Sequence, residues 1–447
     1  MNKRRRQAKL PEPISTEVTQ LSHEGRGIAK INGKTTFIFN ALPTESVFFR
    51  YTKTHGQWDE GETVTINQEA KERVAPICQH FGVCGGCSLQ HMHHDFQVDH
   101  KQSAVLSLLH QAGIQTPPSL LPPLLGKTKG YRRKARLGVR YVPKKGAVLI
   151  GFRERKTHYI TQTELCHALD PRVGMALPSL SHLISSLTIK EKIPQLEVAI
   201  GDQDVAIIIR HLASLTAEDE QKLIHFFRLH QWQLYLQPHG IESIYRLSPE
   251  AHSSLPYYQL PRYNLTFHFH PSHFTQINSE INVKMIDSAL HLLDLSPTDQ
   301  VLDLFCGIGN FSLPIAQKCQ QVTGVEGSKS AIEQAEKNAA YNNHLTNCSF
   351  YTADLFADWE RETWAQQQYH KLLLDPPRSG AKKIVENIKL WLPQRIVYIS
   401  CNPATFARDA HVLVQQGYEL TQLGILNMFP HTQHTEIISL FQPKKTN

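Results

Sequence analysis

VLDLFCGIGNFSLPIA, residues 301–316, decides the fold. It opens as an apolar run, breaks at a turn carrying Gly307 and Gly309, and resumes as an amphipathic stretch. A buried strand, a glycine turn and a helix form the unit at which open α/β sheets bind nucleotides, because glycine lets backbone approach a ligand closely. Glu326 closes the next strand-like run, 19 residues after Gly307, where a carboxylate can hydrogen-bond ribose hydroxyls. Two details turn the reading away from a dinucleotide. The third glycine of GxGxxG is missing, since Ser312 stands there. Asp303 also sits just ahead of the turn, where it would repel a pyrophosphate and attract a sulfonium with a free ammonium. S-adenosylmethionine fits that charge logic.

Outward from this stretch, strand-like and helical patterns alternate from 271 to 447. The strand readings are 301–305, 322–326, 348–354, 371–375, 395–400, 419–429 and 435–441, with a helix such as SAIEQAEKNAAYNN between the early ones. Such alternation predicts a doubly wound, mostly parallel sheet. The fifth strand ends unusually, in ISCNPATFARD (399–409). Cys401 is followed at once by Asn402 and Pro403, which cannot continue a strand. A thiol there is either a small packed residue or a nucleophile at the lip of the sheet.

Upstream, residues 14–69 are short β-like runs punctuated by Gly25, Gly27 and Gly33, the pattern of a small barrel. Lys30, Lys34, Arg50 and Lys53 interleave there with Phe37, Phe39, Phe48 and Phe49, a composition suited to single-stranded nucleic acid or, for the aromatics, to a core. Residues 70–270 form a mixed region. It contains a helical stretch over 95–113, a Pro-rich break at 117–123 and a hairpin, YRRKARLGVRYVPKKGAVLIGFRERK, turning at PKKG. Alternation puts Arg132, Lys134, Arg136 and Arg140 on one face and Tyr131, Ala135, Leu137 and Val139 on the other, as a sheet resting on a core and meeting phosphates requires.

The 447-residue chain carries 47 Lys and Arg against 40 Asp and Glu, a net +7 compatible with a polyanionic partner. Residues 1–13 read as a flexible basic arm rather than a secretory signal, and no apolar run reaches the length of a membrane span. Eight cysteines in such a chain point to a reducing cytoplasm, not a disulfide scaffold.

DLFCGIGNF (303–311), VEGS (325–328), LLLDPPRSG (372–380), YISCNPATFARD (398–409) and MFPHTQHTE (428–436), in that order, resemble the RNA uracil-C5 methyltransferase family. HFTQINSEINVKM (273–285) is similar to its FxQxN element. The resemblance implies an α/β, Rossmann-like, S-adenosylmethionine-dependent methyltransferase domain over 271–447, and Gln276, Phe305, Asn310, Glu326, Asp354 and Asp375 around S-adenosylmethionine. It implies Cys401 as the nucleophile that adds to uracil C6 and Glu436 as the base that removes the C5 proton. Thiolate addition is what the chemistry needs, because the ring carbonyls leave C5 a poor nucleophile until C6 is attacked. In this fold class the last strand runs antiparallel, so its beginning, at Glu436, reaches the edge where Asp375 and Cys401 lie. His431 or His434 is the alternative base, and Arg378 and Arg408 either orient substrate or form structural ion pairs.

Cys78, Cys84 and Cys87 are spaced C-x5-C-x2-C in PICQHFGVCGGCSLQHM, and Cys166 follows the basic hairpin. Four such cysteines invite an iron–sulfur cubane or, with His80, His91, His93 and His94 nearby, zinc. The arrangement resembles the branch of the family that carries a [4Fe–4S] cluster and an OB-like TRAM barrel, here residues 14–69, and acts on 23S rRNA as a cytoplasmic enzyme. ALPTES (41–46) departs from that barrel's usual ALPGE. The resemblance implies 23S rRNA as substrate, the chemistry requires a flipped or single-stranded uridine, because a stacked base is out of reach, and a monomer is expected. Cytosine-C5 and amino-group methyltransferases fit less well: LDPPRSG holds no Cys, and Arg378 replaces the aromatic of (N/D)PPY. A tRNA-acting enzyme and a silent RNA-binding iron–sulfur protein are the remaining alternatives.

Overall fold

The computed structural model describes residues 12–247, 254–342 and 345–444, so most of the basic arm expected over 1–13 lies outside the described residues. The chain divides into two compact units. One comprises residues up to Gly82, Cys87–Val105 and Pro430–Gln433; the other comprises Val83–Gly86, Leu106–Phe429 and the chain from His434. Among the described residues no helix is long and apolar enough to cross a membrane.

The first unit is built on six strands in the order Ile14–Glu17, Ser46–Thr54, Trp58–Gln68, Lys34–Phe39, Gly27–Ile31, Gln20–Leu21. The two edge strands are successive pieces of one run. Their junction is held from both sides, by Val18 N–H donating to the Glu45 carbonyl and Thr19 N–H to the Ile28 carbonyl, both at 2.9 Å. The sheet therefore curls back on itself as a small barrel. Val18, Ala29, Ile38, Ala41, Val47 and Phe49 fill it. Gly27 is required by this closure, since a Cβ would stand 2.8 Å from Val18 and 2.9 Å from Ala41. Phe39 and Phe49 are buried, whereas Phe48 is exposed and Phe37 half-buried, so the aromatics divide between core and surface. Below the barrel, Leu42, Ala70, Leu89 and Met92 form a second small core. Glu45, fully buried, anchors it by accepting from Leu42 N–H at 2.8 Å, Ala70 N–H at 3.3 Å and the Arg73 guanidinium.

The second unit contains two larger sheets. The central one runs in the order Tyr245–Arg246, Gln233–Gln237, Val205–Arg210, Gln195–Ile200, Lys134–Val142, Ala147–Gly151. The predicted hairpin is present, with a short 3-10 turn at Pro143–Lys145. Ala135, Leu137 and Val139 enter the core as expected. The opposite face carries Arg132, Lys134, Arg136 and Arg140, and three of them are already engaged within the protein. Lys134 is half-buried, its ammonium donating to the carbonyls of Pro271, at 2.9 Å, and His273. Arg136 pairs with Glu197 of the neighbouring strand at 2.9 Å. Arg132 donates to the Lys134 carbonyl at 3.0 Å, and Arg140 is exposed.

The other sheet has eight strands, in the order Cys348–Thr352, Gln321–Glu326, Gln300–Leu304, Lys371–Leu374, Arg395–Ser400, Glu436–Pro443, Tyr418–Leu426, Ser119–Leu120. The first five are parallel, and Glu436–Pro443 runs antiparallel to its neighbours. This is the predicted doubly wound sheet, with the expected reversed last strand. The Pro-rich break contributes an edge strand, Ser119–Leu120, parallel to Tyr418–Leu426. Its flanking prolines suit an edge, where a missing N–H costs no ladder bond. The boundary expected at 270/271 falls inside one compact unit. The hairpin Tyr257–Leu260/Leu265–His268 already belongs with this sheet's helices, because Asn338 and Asn342 accept from the amides of His268 and Thr266 at 3.0 and 2.8 Å.

Candidate active site

Four parallel strands end side by side, and the candidate residues follow from those ends. Ile437 pairs with Ser400 across the antiparallel join, so the next step of the register sets Glu436 beside Cys401. Cys401 is half-buried where the strand gives way to helix Pro403–Gln415, capped by Asn402, whose side chain accepts from Ala404 N–H at 3.1 Å. Asn402 Nδ2 and Thr405 Oγ1 donate to the Arg378 carbonyl at 2.9 and 3.1 Å. The Cys401 loop and the DPPRSG loop are thereby stitched together.

Glu436 is 4 % exposed, and among the described residues its Oε2 has no hydrogen-bond partner. Burial pushes its carboxyl up to about 7. Burial, then the Glu436 and Asp375 carboxylates, push the Cys401 thiol up to about 11, while Arg378 pulls it down. Burial and Glu436 together hold Asp375 well above the usual carboxylate range. Cys401, Glu436, Asp375 and Arg378 thus share one electrostatic environment. Gln276 joins them by donating from Nε2 to Asp375 Oδ2 at 3.3 Å.

The glycine turn lies next to this group. Phe305 takes φ 65°, a left-handed conformation that is uncommon and strained for a residue with a bulky side chain. It is pinned there by its N–H donating to the Val325 carbonyl at 2.8 Å. Glu326 accepts from the amides of Gly307 and Ser328 at 3.3 and 3.0 Å. Asp303 is fully buried, accepts from Ser312 Oγ at 2.5 Å through Oδ2, and leaves Oδ1 without a partner among the described residues. Burial raises it to about 7, against the bond from Ser312. Asp303, Glu326 and Asp375 therefore surround the turn with carboxyl groups and little compensating charge, an environment that fits a cationic sulfonium and ammonium and opposes a pyrophosphate.

Two expected residues stand differently. Asn310 is largely committed to the protein: Oδ1 accepts from Tyr258 at 2.7 Å and Asn282 at 3.0 Å, and Nδ2 donates to Asn282 Oδ1 at 2.9 Å. Asp354 is exposed, two residues beyond the end of its strand at Thr352, and caps Phe356 N–H at 2.9 Å. Tyr258 and Asn282 were not anticipated, and only Asn282, inside INSEIN, carried any sequence signal. Arg408 is structural, since it pairs with buried Asp409 at 2.7 Å and donates to the Ser379 carbonyl at 2.9 Å. His434 meets Phe429 edge to face, with centroids 5.5 Å apart. His431 lies in the first unit, with its ring 3.3 Å from Gln97 Nε2.

The four cysteines of the expected cluster are half-buried and none forms a disulfide. Cys78 and Cys87 fall in the first unit, Cys84 and Cys166 in the second. Gly85 N–H donates to the Arg153 carbonyl at 2.8 Å, and a Cβ on Gly85 would stand 2.9 Å from that oxygen, which accounts for a glycine in CGGC. Among the described residues no group of three or more His, Cys, Asp or Glu side chains stands at metal-holding distances.

A doubly wound sheet with this strand order and an acidic glycine-turn pocket defines an S-adenosylmethionine-type methyltransferase fold. The crystal structure of a Pyrococcus abyssi tRNA (uracil-54, C5)-methyltransferase in complex with S-adenosyl-L-homocysteine has that fold. It aligns with 96% of this chain and 100% of its own at a TM-score of 0.71, with 21% identity. Residues 257–444 match the tRNA (Uracil-5-)-methyltransferase family. The 23S rRNA (uracil(1939)-C(5))-methyltransferase RlmD of Legionella pneumophila (strain Paris) is 47% identical over 96% of this chain and 97% of its own. The RlmD of Alcanivorax borkumensis is 46% identical, with 100% of both chains covered. The chain belongs to the RNA uracil-C5 methyltransferase family.

Proposed function

We propose that the protein transfers a methyl group from S-adenosylmethionine to C5 of a flipped uridine in 23S rRNA. The observation that carries the reading is the register that sets Cys401 beside Glu436, a buried carboxyl with one oxygen unpartnered. The full-length likeness to 23S rRNA enzymes supports the substrate, which would be met in the cytoplasm.

In this reading the Cys401 thiolate bonds to C6 and the ring electrons shift toward C5. S-adenosylmethionine, held by the acidic pocket around Asp303, Glu326 and Asp375 with Gln276 and Phe305, supplies the electrophilic methyl. C5 then carries both methyl and hydrogen. Glu436 takes the C5 proton, the C5–C6 double bond reforms, and the thiolate leaves. Glu436 suits that task because its carboxyl titrates near the working pH. Arg378 favours the thiolate. A stacked base cannot present C5 and C6 to opposed groups, so the uridine is taken out of its stack. The barrel, with Lys30 and Lys53 exposed, is proposed as an RNA-holding module and the chain as a monomer.

We also propose that Cys78, Cys84, Cys87 and Cys166 hold a [4Fe–4S] cluster. A set of four thiols without carboxylates suits iron–sulfur chemistry. Anaerobic purification should give about four iron and four sulfide per chain, and bound zinc instead would overturn the cluster.

Trapping tests the main reading. A 23S rRNA fragment carrying 5-fluorouridine should form a stable adduct with the wild type and S-adenosylmethionine, and none with Cys401→Ala, because fluorine cannot leave as a proton. An adduct with tRNA alone would keep the chemistry and change the substrate. Binding of RNA with no adduct in any substrate would make the chain a silent binding protein.

A further inference from the structure

A cavity of about 590 Å³ opens in the second unit at the N-terminal end of helix Ser279–Leu293. It borders the candidate active site through Gln276, which lines the cavity and also donates to Asp375 at 3.3 Å. Three observations give it the character of an anion site. The amides of Ser279 and Glu280 lie in the first helical turn, where no intrahelical acceptor exists, and the helix dipole there favours negative charge. Asn278, the residue that caps this helix, is 2 % exposed and lines the cavity. Its Oδ1 accepts from Ile281 N–H at 3.3 Å, while among the described residues its Nδ2 has no partner. A buried amide donor without an acceptor is unfavourable, and an incoming acceptor would remove that penalty.

The third observation is charge. Lys127 and Lys129, both exposed, stand at the cavity and enter no ion pair within 4 Å among the described residues. The carboxylates that share the lining are already compensated. Asp170 pairs with Arg172 at 2.9 Å, Asp202 with Arg133 at 2.5 Å and Glu280 with Lys284 at 2.8 Å. Glu280 also accepts from Lys127 N–H at 3.0 Å. The ammonium groups of Lys127 and Lys129 therefore stand outside these pairs, Lys127 acting on Glu280 only through space.

The geometry points to a phosphate subsite: a backbone phosphate of the RNA strand, close to the target uridine, seated between Asn278 Nδ2, the first-turn amides and the ammonium groups of Lys127 and Lys129. This rests on the RNA reading above and adds to it a place where the strand is gripped beside the reacting base. The backbone is built for such a role, because Arg133 N–H donates to the Ile277 carbonyl at 2.8 Å and ties the basic hairpin to the segment bearing Gln276 and Asn278.

The test uses the full chain with a 23S rRNA fragment containing the methylated uridine. Lys127→Ala/Lys129→Ala should raise KM on the order of tenfold with kcat unchanged. It should also lower the salt dependence of RNA binding by about 0.7 in logarithmic slope per lost contact. Asn278→Asp keeps the helix cap but turns the free donor into a carboxylate, so it should weaken RNA binding while the protein stays folded. Replacing single phosphates by methylphosphonates should reveal one linkage near the uridine whose neutralisation weakens the wild type but not the double variant. Unchanged KM and salt slope in both variants, while the wild type methylates the fragment, would overturn the subsite and leave the function intact. Loss of S-adenosylmethionine binding without loss of RNA binding would assign the cavity to the methyl donor and overturn it too. A wild type that neither binds nor methylates the fragment would overturn the RNA reading, and the subsite with it.

Discussion

Glu436 carries a stability cost that varies with pH. Its carboxyl sits near 7 in the folded chain against an ordinary 4.5, because burial disfavours the charged form. A folded value raised above the unfolded one means stability is fully present below about pH 4.5 and falls as pH climbs through 7. The shift corresponds to roughly 3 kcal/mol across that window. Glu436→Gln removes the titration, so its denaturation midpoint should match the wild type at pH 5 and exceed it at pH 8.5. A difference that is flat with pH would refute the assignment. The same variant removes the carboxylate whose charge raises the Cys401 thiol most, so the thiol should ionise at lower pH and react faster with iodoacetamide at pH 8. It should also leave the methylated adduct unresolved, seen as a protein–RNA band that persists with unmodified uridine. Cys401 was legible in the sequence because Asn402 and Pro403 end a buried strand on it. The commitment of Asn310 to Tyr258 and Asn282 was not, because a tyrosine 52 residues upstream leaves no local pattern.

At the scale of elements, alternation along Lys134–Val142 correctly named the buried face but not what covers the other one. Periodicity reports which side a residue points to. It is silent on the loop at Pro271–His273 that lies over Lys134. Lys134→Met should therefore strand two carbonyls and cost about 2–3 kcal/mol in a urea melt, whereas Arg140→Ala should change stability by under about 0.5 kcal/mol. The doubly wound sheet was legible because each strand is a short apolar run between helices. The edge strand Ser119–Leu120 was hidden inside a proline cluster that reads as a break. In the barrel, Thr44, the residue at which ALPTES departs from the pattern it resembles, adopts φ 71°. A β-branched residue is strained there. Thr44→Gly should stabilise the barrel by about 1 kcal/mol after the entropy of the added glycine is set against the relieved strain. Hydrogen exchange of the strand Ser46–Thr54 would report it, and faster exchange in the variant would show that Thr44 is not strained.

On the scale of the whole molecule, the barrel is not a detachable module. Leu89 and Met92 pack with Leu42 and Ala70, and Arg73 pairs with buried Glu45. Removing residues 1–69 should expose that small core, lowering soluble yield and raising binding of a hydrophobic dye; a well-behaved truncated protein would refute the shared core. The expected limits at 14 and 69 were read from turns, and turns carry no signal of the packing against 87–105, which only the folded unit shows. The same unit reaches much further along the chain. His431 accepts two amides, those of Ser88 and Leu89 at 2.9 Å, and its own N–H donates to Gln97 at 3.0 Å. Those partners are 334 to 343 residues apart in sequence, so on a translating ribosome this unit waits for residue 433 before its last contacts can form. The wait costs little equilibrium stability, since loop-closure entropy grows only with the logarithm of length. It does set a schedule: the barrel is synthesised long before the segment that completes its unit, and at some 5–20 residues per second it stays open for tens of seconds beside nascent RNA and chaperones.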